Sequence, residues 1–364
     1  MQQVLFVFGG QSSEHGVSCL TAAQVVASLD TSMFEAHLVG ITTSGKWVRY
    51  SPDEVKAFEI FDNKLPAVDD TRQDALLYRS SQGVRLATLV EDELIDVVGV
   101  DAAFALLHGA FGEDGTIQGQ FEMLGLPYVG NGVAASANGM DKQWMKIMLE
   151  AADIPVGPYV TLTKKQWDAN PEAWLEKISE LEYPLYVKPA RGGSSMGISR
   201  VDEEGAVVGA IEEAAKFDPK IIVEQGIVGA REIECAVLDG AGGAMASQLG
   251  EIIVHEEDEF YDFNAKYLGA GQVELKAPAE LPSSLEDRIR NLAIQAFEAL
   301  GCEGLVRVDT FVVADEVLIN EVNTMPGFTK ISMFPHLWSI SGMDYSQLIT
   351  YLIEDAFRRG VGLR

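Results

Sequence analysis

The chain has 364 residues, and 55 acidic against 27 basic side chains give it a formal net charge of −28. That length suggests two or three domains, and a composition of 47% hydrophobic and 23% charged residues excludes a disordered chain. The acidity also excludes nucleic acid as a partner, because binding phosphate backbones needs concentrated Lys and Arg, but a small anion held by a few placed cations stays open.

Cys19, Cys235 and Cys302 lie far apart without a CxxC pair, so neither a disulfide framework nor a zinc site is expected, and the expected compartment is the reducing cytoplasm. The run Val4 to Phe8 lacks a basic leader, and no apolar stretch approaches the ~18–20 residues of a membrane span.

The first third alternates strand and helix signals. Val4–Phe8 ends in Gly9-Gly10, Val17–Leu29 has helical spacing, and Phe34–Ile41 and Ala102–Leu107 are further apolar runs. This order implies a parallel sheet with ligands at the carboxyl ends of its strands. Residues 46–96 read as an irregular insertion or lid, with at most a hairpin near Ser81-Gln82-Gly83. A helix signal then runs from Lys142 to Ala152. Trp167–Glu180 reads as a helix, Leu185–Lys188 as a strand, Ile198–Val201 as a short strand, and Asp202 as the cap of a helix reaching Lys216. Strands follow at Ile221–Glu224, 231–238, 244–254, 305–313 and 317–323, with helices at Pro282–Leu300 and Asp344–Arg359. The pattern predicts three α+β units: 1–135, 136–225 and 226–364.

Arg307-Val308-Asp309 and Glu321-Val322-Asn323 carry the strongest local signal. Residues i and i+2 of a strand share a face, so a hairpin with a three-residue loop, Ala314-Asp315-Glu316, places Asp309 opposite Glu321 and Arg307 opposite Asn323. A two-residue loop would throw Glu321 to the other face. The flanking runs, Phe311-Val312-Val313 and Val317-Leu318-Ile319, read as buried on both faces, where carboxylates need a partner or a metal. Hard oxygen donors of this kind suit Mg²⁺ or Mn²⁺ on phosphates.

Lys188-Pro189-Ala190-Arg191-Gly192-Gly193-Ser194-Ser195-Met196-Gly197 offers backbone N–H groups, hydroxyls and a cation after a strand, as a phosphate cover would. It also contains GxSxG, but a nucleophile elbow needs a helix directly after the serine, and Ile198–Val201 intervenes. The Gly9-Gly10 turn is not GxGxxG and no ribose-binding acid follows the second run, which argues against a nicotinamide cofactor. Glu14, His108, Lys142 and Lys266 taken singly read as ordinary helix-start, backbone-bonding or surface residues.

The set as a whole resembles the D-alanine–D-alanine ligase family of the ATP-grasp fold. The matching pieces run in order: Gly9–Ser18, His108-Gly109 with Gly112–Gly115, Met140-Asp141-Lys142, Lys188–Gly197, Tyr261–Tyr267, Arg307–Asp309 and Glu321–Thr329. Departures are Gly192 and Gly16 where the family often has acids, Met333 for leucine and Gln225 for lysine. The resemblance implies an ATP-grasp fold, α+β behind an α/β Rossmann-like N-terminal domain. It implies ATP with its adenine near Glu224, Gln225 and Ile227, its ribose on Glu232, its inner phosphates on Lys142 and Lys188, and its γ-phosphate on Lys266. Ser194 and Ser195 would cover the phosphates, and two Mg²⁺ or Mn²⁺ would sit on Asp309, Glu321 and Asn323. Glu14, with His108 nearby, would hold the first D-alanine; Ser332 and the Met333 N–H would bind the second carboxylate, and Arg307 with the Gly327 N–H the oxyanion. Ser194 and Tyr267 would link to Glu14. A ligase with D-serine or D-lactate as acceptor is the alternative, though Tyr267 argues against lactate; a non-catalytic nucleotide-binding regulator is a third reading. The family also implies a homodimer.

Overall fold

The computed structural model describes residues 1–193, 196–254 and 273–362. Ser194, Ser195, Lys266 and Tyr267 therefore lie outside the described residues.

In the N-terminal unit, β1 (Gln2–Gly9) and β2 (Phe34–Ile41) are parallel and joined by α1 (His15–Ser28). Then come β3 (Trp47–Tyr50), α2 (Pro52–Lys56), β4 (Asp74–Ser80), β5 (Gly83–Val90), β6 (Glu93–Val100) and β7 (Ala102–Ala105). The sheet order is β6-β5-β4-β3-β2-β1-β7, with β7 parallel to β1 and β3 to β6 antiparallel. Residues 46–96 thus supply β3, β4, β5 and the start of β6 to this sheet and are not an irregular insertion, although the hairpin turn at 81–82 stands where the sequence puts it. β6 is a half-exposed edge strand whose first five residues face solvent, so it carries little of the apolar periodicity that marks a core strand. The connection before β4 closes over the start of α1: His15 Nε2 accepts from Val68 N at 3.0 Å, and a Cβ on Gly16 would lie 2.4 Å from Leu65 Cβ. Gly16 is required by that approach.

Helices α3 (Thr116–Leu124), α4 (Val133–Met140) and α5 (Lys142–Ala151) lead to an antiparallel sheet of order β10-β9-β11-β8. Its elements are β8 (Tyr159–Thr163), α6 (Lys164–Ala169), α7 (Pro171–Ile178), β9 (Leu185–Pro189), β10 (Ser199–Val201), α8 (Val207–Ala214) and β11 (Lys220–Gln225). The single helix expected over 167–180 is two. Pro171 cannot continue α6, and Asn170 instead caps α7 by accepting from Ala173 N. Asp202 caps nothing; it pairs with Arg200 at 3.0 Å, and α8 begins after a short 3₁₀ turn at 204–206.

The C-terminal sheet runs β14-β13-β12-β15-β16, all antiparallel. It comprises β12 (Arg231–Leu238), β13 (Met245–Val254), β14 (Val273–Lys276), β15 (Leu305–Val313) and β16 (Glu316–Asn323), with α9 (Ser283–Ala299), α10 (Met333–Ile340) and α11 (Tyr345–Arg359). One face packs on α9 and α5. On the other side α10 and α11 share a core with β1, β7 and α1, where Phe104 and Phe328 meet edge to face at 5.7 Å. Asn131 ties the units further, its Nδ2 donating to Leu305 O and Thr324 O at 2.8 Å each.

Candidate active site

The β15–β16 hairpin places Asp309 opposite Glu321 and Arg307 opposite Asn323, as expected, but by another route. Val313 pairs with Glu316, so the turn has two residues, Ala314 and Asp315, and Ala314 takes a positive φ of 51°. A bulge then intervenes: Thr310 faces Ile319 while Asp309 faces Glu321, leaving Asn320 as the extra residue. The bulge restores the face that the short turn would have reversed. Nor is the hairpin buried on both faces; Val312, Val317 and Ile319 are buried, while Phe311, Val313 and Leu318 are half-buried.

Arg307 donates from Nε and Nη2 to the two Asp309 oxygens, 2.7 Å each, and its Nε lies 3.2 Å from Glu234 Oε1. Asn323 Nδ2 adds a 2.9 Å bond to Asp309. Burial would depress the Arg307 pKa, but Asp309 and Glu234 outweigh it and keep the guanidinium charged far above its ordinary range. Glu232 lies on the same strand face as Glu234, and burial together with Asp309 raises its carboxyl. Among the described residues no three His, Cys, Asp or Glu side chains form a metal cluster. The candidate donors are two carboxylates and one amide, and their hard oxygens fit a divalent ion of the Mg²⁺ type.

The cations come from the neighbouring unit. Asp141 caps α5 by accepting from Gln143 N and Trp144 N, and both its oxygens meet Lys220 Nζ at 2.8 Å. This fixes Lys142, whose Nζ donates to Gly192 O at 2.9 Å and lies 3.7 Å from Glu321 Oε2. Lys188 on β9 pairs with Glu224 on β11 at 2.6 Å, and Lys146, on the same face of α5 as Lys142, pairs with the other Glu224 oxygen at 2.8 Å. Burial alone would raise the Glu224 carboxyl; Lys188 and Lys146 reverse this and hold it far below the usual range.

The N-terminal unit closes the third side at the ends of β1 and β7. At Gly9 φ is +85°, and an added Cβ would strike Ile41 O at 2.3 Å, so the turn beneath Glu14 needs glycine. Glu14 Oε2 lies within 3.2 Å of where a Cβ would stand on Gly193 and 3.1 Å of one on Gly109, so both loops pack against this carboxylate. His108 is buried, with Nδ1 3.1 Å from Met325 O. Glu113 accepts from Gly109 N at 2.6 Å; burial and the nearby Glu14 charge push its carboxyl up to about 8.

A cavity of about 730 Å³ runs between these walls. Tyr186, Ile198, Ile227 and Val228 line an apolar part, and the lysines, Arg307 and the carboxylates line a charged part. It gathers Glu14, His108, Lys142, Lys188, Glu224, Gln225, Ile227, Glu232, Arg307, Asp309, Glu321, Asn323 and Gly327. Ser332 and Met333 do not line it. They begin α10 beyond Gly327, where Ser332 Oγ accepts from Thr329 N at 3.1 Å. Sequence reading missed Lys146, Glu113 and Glu234. A lysine one turn after Lys142 and an acid two residues after Glu232 were the available signals.

The profile of the D-ala D-ala ligase N-terminus matches residues 3–131, and that of the D-ala D-ala ligase C-terminus matches residues 148–354. The chain belongs to the D-alanine–D-alanine ligase family. It is 47% identical to a D-alanine–D-alanine ligase of Arthrobacter sp. strain FB24, covering all of this chain and 96% of that one. Against one from Mycobacterium sp. strain KMS the identity is 45%, over 100% and 98% of the two chains. Among solved structures, the VanG D-Ala:D-Ser ligase from Enterococcus faecalis superposes with a TM-score of 0.82 at 33% identity, over 98% of this chain and 99% of that one. The D-alanine–D-alanine ligase from Coxiella burnetii gives 0.80 at 32%, over 98% and 94%. The ATP-grasp ligase fold expected from the motifs is the fold of the family.

Proposed function

We propose that this protein joins two D-alanines into D-alanyl-D-alanine for peptidoglycan synthesis, cleaving ATP to ADP and phosphate. The observation that carries the reading is one cavity lined by Lys142, Lys188, Asp309, Glu321, Asn323 and Glu14, which suit phosphate, a divalent ion and an ammonium group in turn. ATP lies with its adenine in the apolar part, near Glu224, Gln225 and Ile227, its ribose on Glu232 and its phosphates toward Lys142, Lys188 and Lys266.

Glu14, with His108 beside it, holds the ammonium of the first D-alanine, and Ser332 with the Met333 N–H receives the second carboxylate. The first carboxylate attacks the γ-phosphorus, the bond to ADP breaks, and an acyl phosphate forms. The amine of the second D-alanine, having lost a proton, attacks the acyl carbon and inorganic phosphate leaves. Arg307 and the Gly327 N–H are donors toward the oxyanion that develops. Asp309, Glu321 and Asn323 suit two Mg²⁺ or Mn²⁺, which when bound neutralise charge on the transferring phosphoryl group. Ser194, Ser195 and Tyr267, outside the described residues, would by the family resemblance help exclude water from the acyl phosphate.

The division at 135 and 225, a homodimer and a cytoplasmic location complete the proposal. Among the described residues no helix is long and apolar enough to cross a membrane. The test is incubation with MgATP and D-alanine, with D-serine and D-lactate as competitors. D-alanyl-D-alanine by mass, with ADP and phosphate in equal amounts, is expected. ATP turnover indifferent to D-alanine, or an esterase activity lost in Ser195→Ala, would overturn the reading.

A further inference from the structure

Lys146 is 2% exposed, an unusual place for an ammonium group. Its helix α5 buries Met145 and Leu149 against the C-terminal sheet, while Lys146 reaches the cavity wall and meets Glu224 Oε1 at 2.8 Å. The other oxygen, Oε2, meets Lys188 Nζ at 2.6 Å. Lys188 stands opposite Ile222 in the β9–β11 ladder, diagonal to Glu224, so strand register alone would lock it onto the carboxylate.

We infer that Lys146 is a positioning residue for nucleotide binding: by holding one oxygen of Glu224, it leaves Lys188 able to turn from the other oxygen to the phosphates. With Lys146 the three groups carry a net charge of +1; without it they carry none, and Glu224 has Lys188 as its only cation in this trio. A polyanion would then have to break that pair and leave a buried carboxylate uncompensated. The proposal rests on the reading of the cavity as a nucleotide site and adds to it a residue that acts through Glu224.

The experiment is equilibrium binding of ATP to wild type, Lys146→Met, Glu224→Gln and the double variant, with steady-state kinetics alongside. Lys146→Met is expected to weaken ATP binding about tenfold or more, because an uncompensated Glu224 competes for Lys188. In the Glu224→Gln background the same change is expected to cost less than about twofold, since the two groups are coupled. The KM for D-alanine should stay in place. Lys146→Arg, which keeps the charge, guards against a Lys146→Met that fails to fold, and the double variant replaces the pair by neutral groups. Unchanged ATP affinity in Lys146→Met, or equal losses in both backgrounds, would overturn the inference, the second outcome marking a purely structural lysine. A wild type that binds no ATP would overturn the nucleotide reading itself, and one that binds ATP without making dipeptide would overturn only the proposed reaction.

Discussion

Glu113 is a carboxyl whose environment opposes its charge. Burial first, and then the negative charge of Glu14, lift it from an ordinary 4.5 to about 8, although the Gly109 N–H favours the ionised form. The native protein therefore keeps a proton that the unfolded chain releases near pH 4.5. The stability this contributes is fully present below the unfolded pKa and is lost as pH rises through the folded one. The expected outcome is that urea-unfolding free energies of the wild type fall between pH 5 and 8.5 relative to those of Glu113→Gln; parallel curves would show that the carboxyl is not perturbed. Glu321 makes a second test at this scale. Glu321→Gln keeps shape and removes charge, so turnover should drop by about two orders of magnitude or more, because charge stabilisation of a transferring phosphoryl group is worth several kcal/mol. Circular dichroism should be unchanged. Residues such as Glu14, Lys142 and Arg307 were legible because they stand within ordered motifs. Lys146 and Glu234 were not, because each acquires its importance from a partner distant in sequence, and Glu113, though inside the Gly112–Gly115 motif, carried no role until burial and Glu14 were in view.

At the level of elements, α5 shows how a cap aims a functional side chain. Asp141 both satisfies the first-turn N–H groups and takes Lys220, so Asp141→Ala removes a cap worth about 1 kcal/mol and strips a half-buried lysine of its carboxylate. A lower urea midpoint together with a higher KM for ATP is expected; a loss of stability with ATP binding intact would separate the cap from Lys142. The β15–β16 hairpin gives a sharper test. Removing Asn320 leaves a regular ladder with the same two-residue turn and keeps Asp309 opposite Glu321, whereas removing Val322 turns Asn323 to the opposite face. Activity is expected to survive the first deletion within about tenfold and to vanish in the second, since only the second changes which face the amide occupies. Apolar runs fixed β1, β2 and β15 closely in the sequence. The partly exposed strand β4 and the polar edge strand β6 were hidden because their exposed faces carry no core pattern, and the bulge was hidden because two compensating one-residue shifts leave the final pairing unaltered.

The whole molecule is less divisible than its three sheets suggest. The central sheet has its own core around Trp167, Leu185, Val187 and Val223. The N-terminal sheet has one only on the face of Leu5, Val7, Leu86 and Phe121; on the other face the core under Phe6, Phe8 and Phe104 is completed by Phe328, Phe334, Leu348, Leu352 and Ile353. Arg359, paired with Asp355 and Glu303, donates to Tyr128 O at 3.3 Å and closes the same seam. A chain is made from its first residue onward, and domains usually fold as they leave the ribosome. Here the first unit cannot finish on that schedule, because the side chains that cover one of its apolar faces follow the whole central unit in the chain. That face waits uncovered until α10 and α11 have been made, and these distant helices are what let the first unit fold to completion.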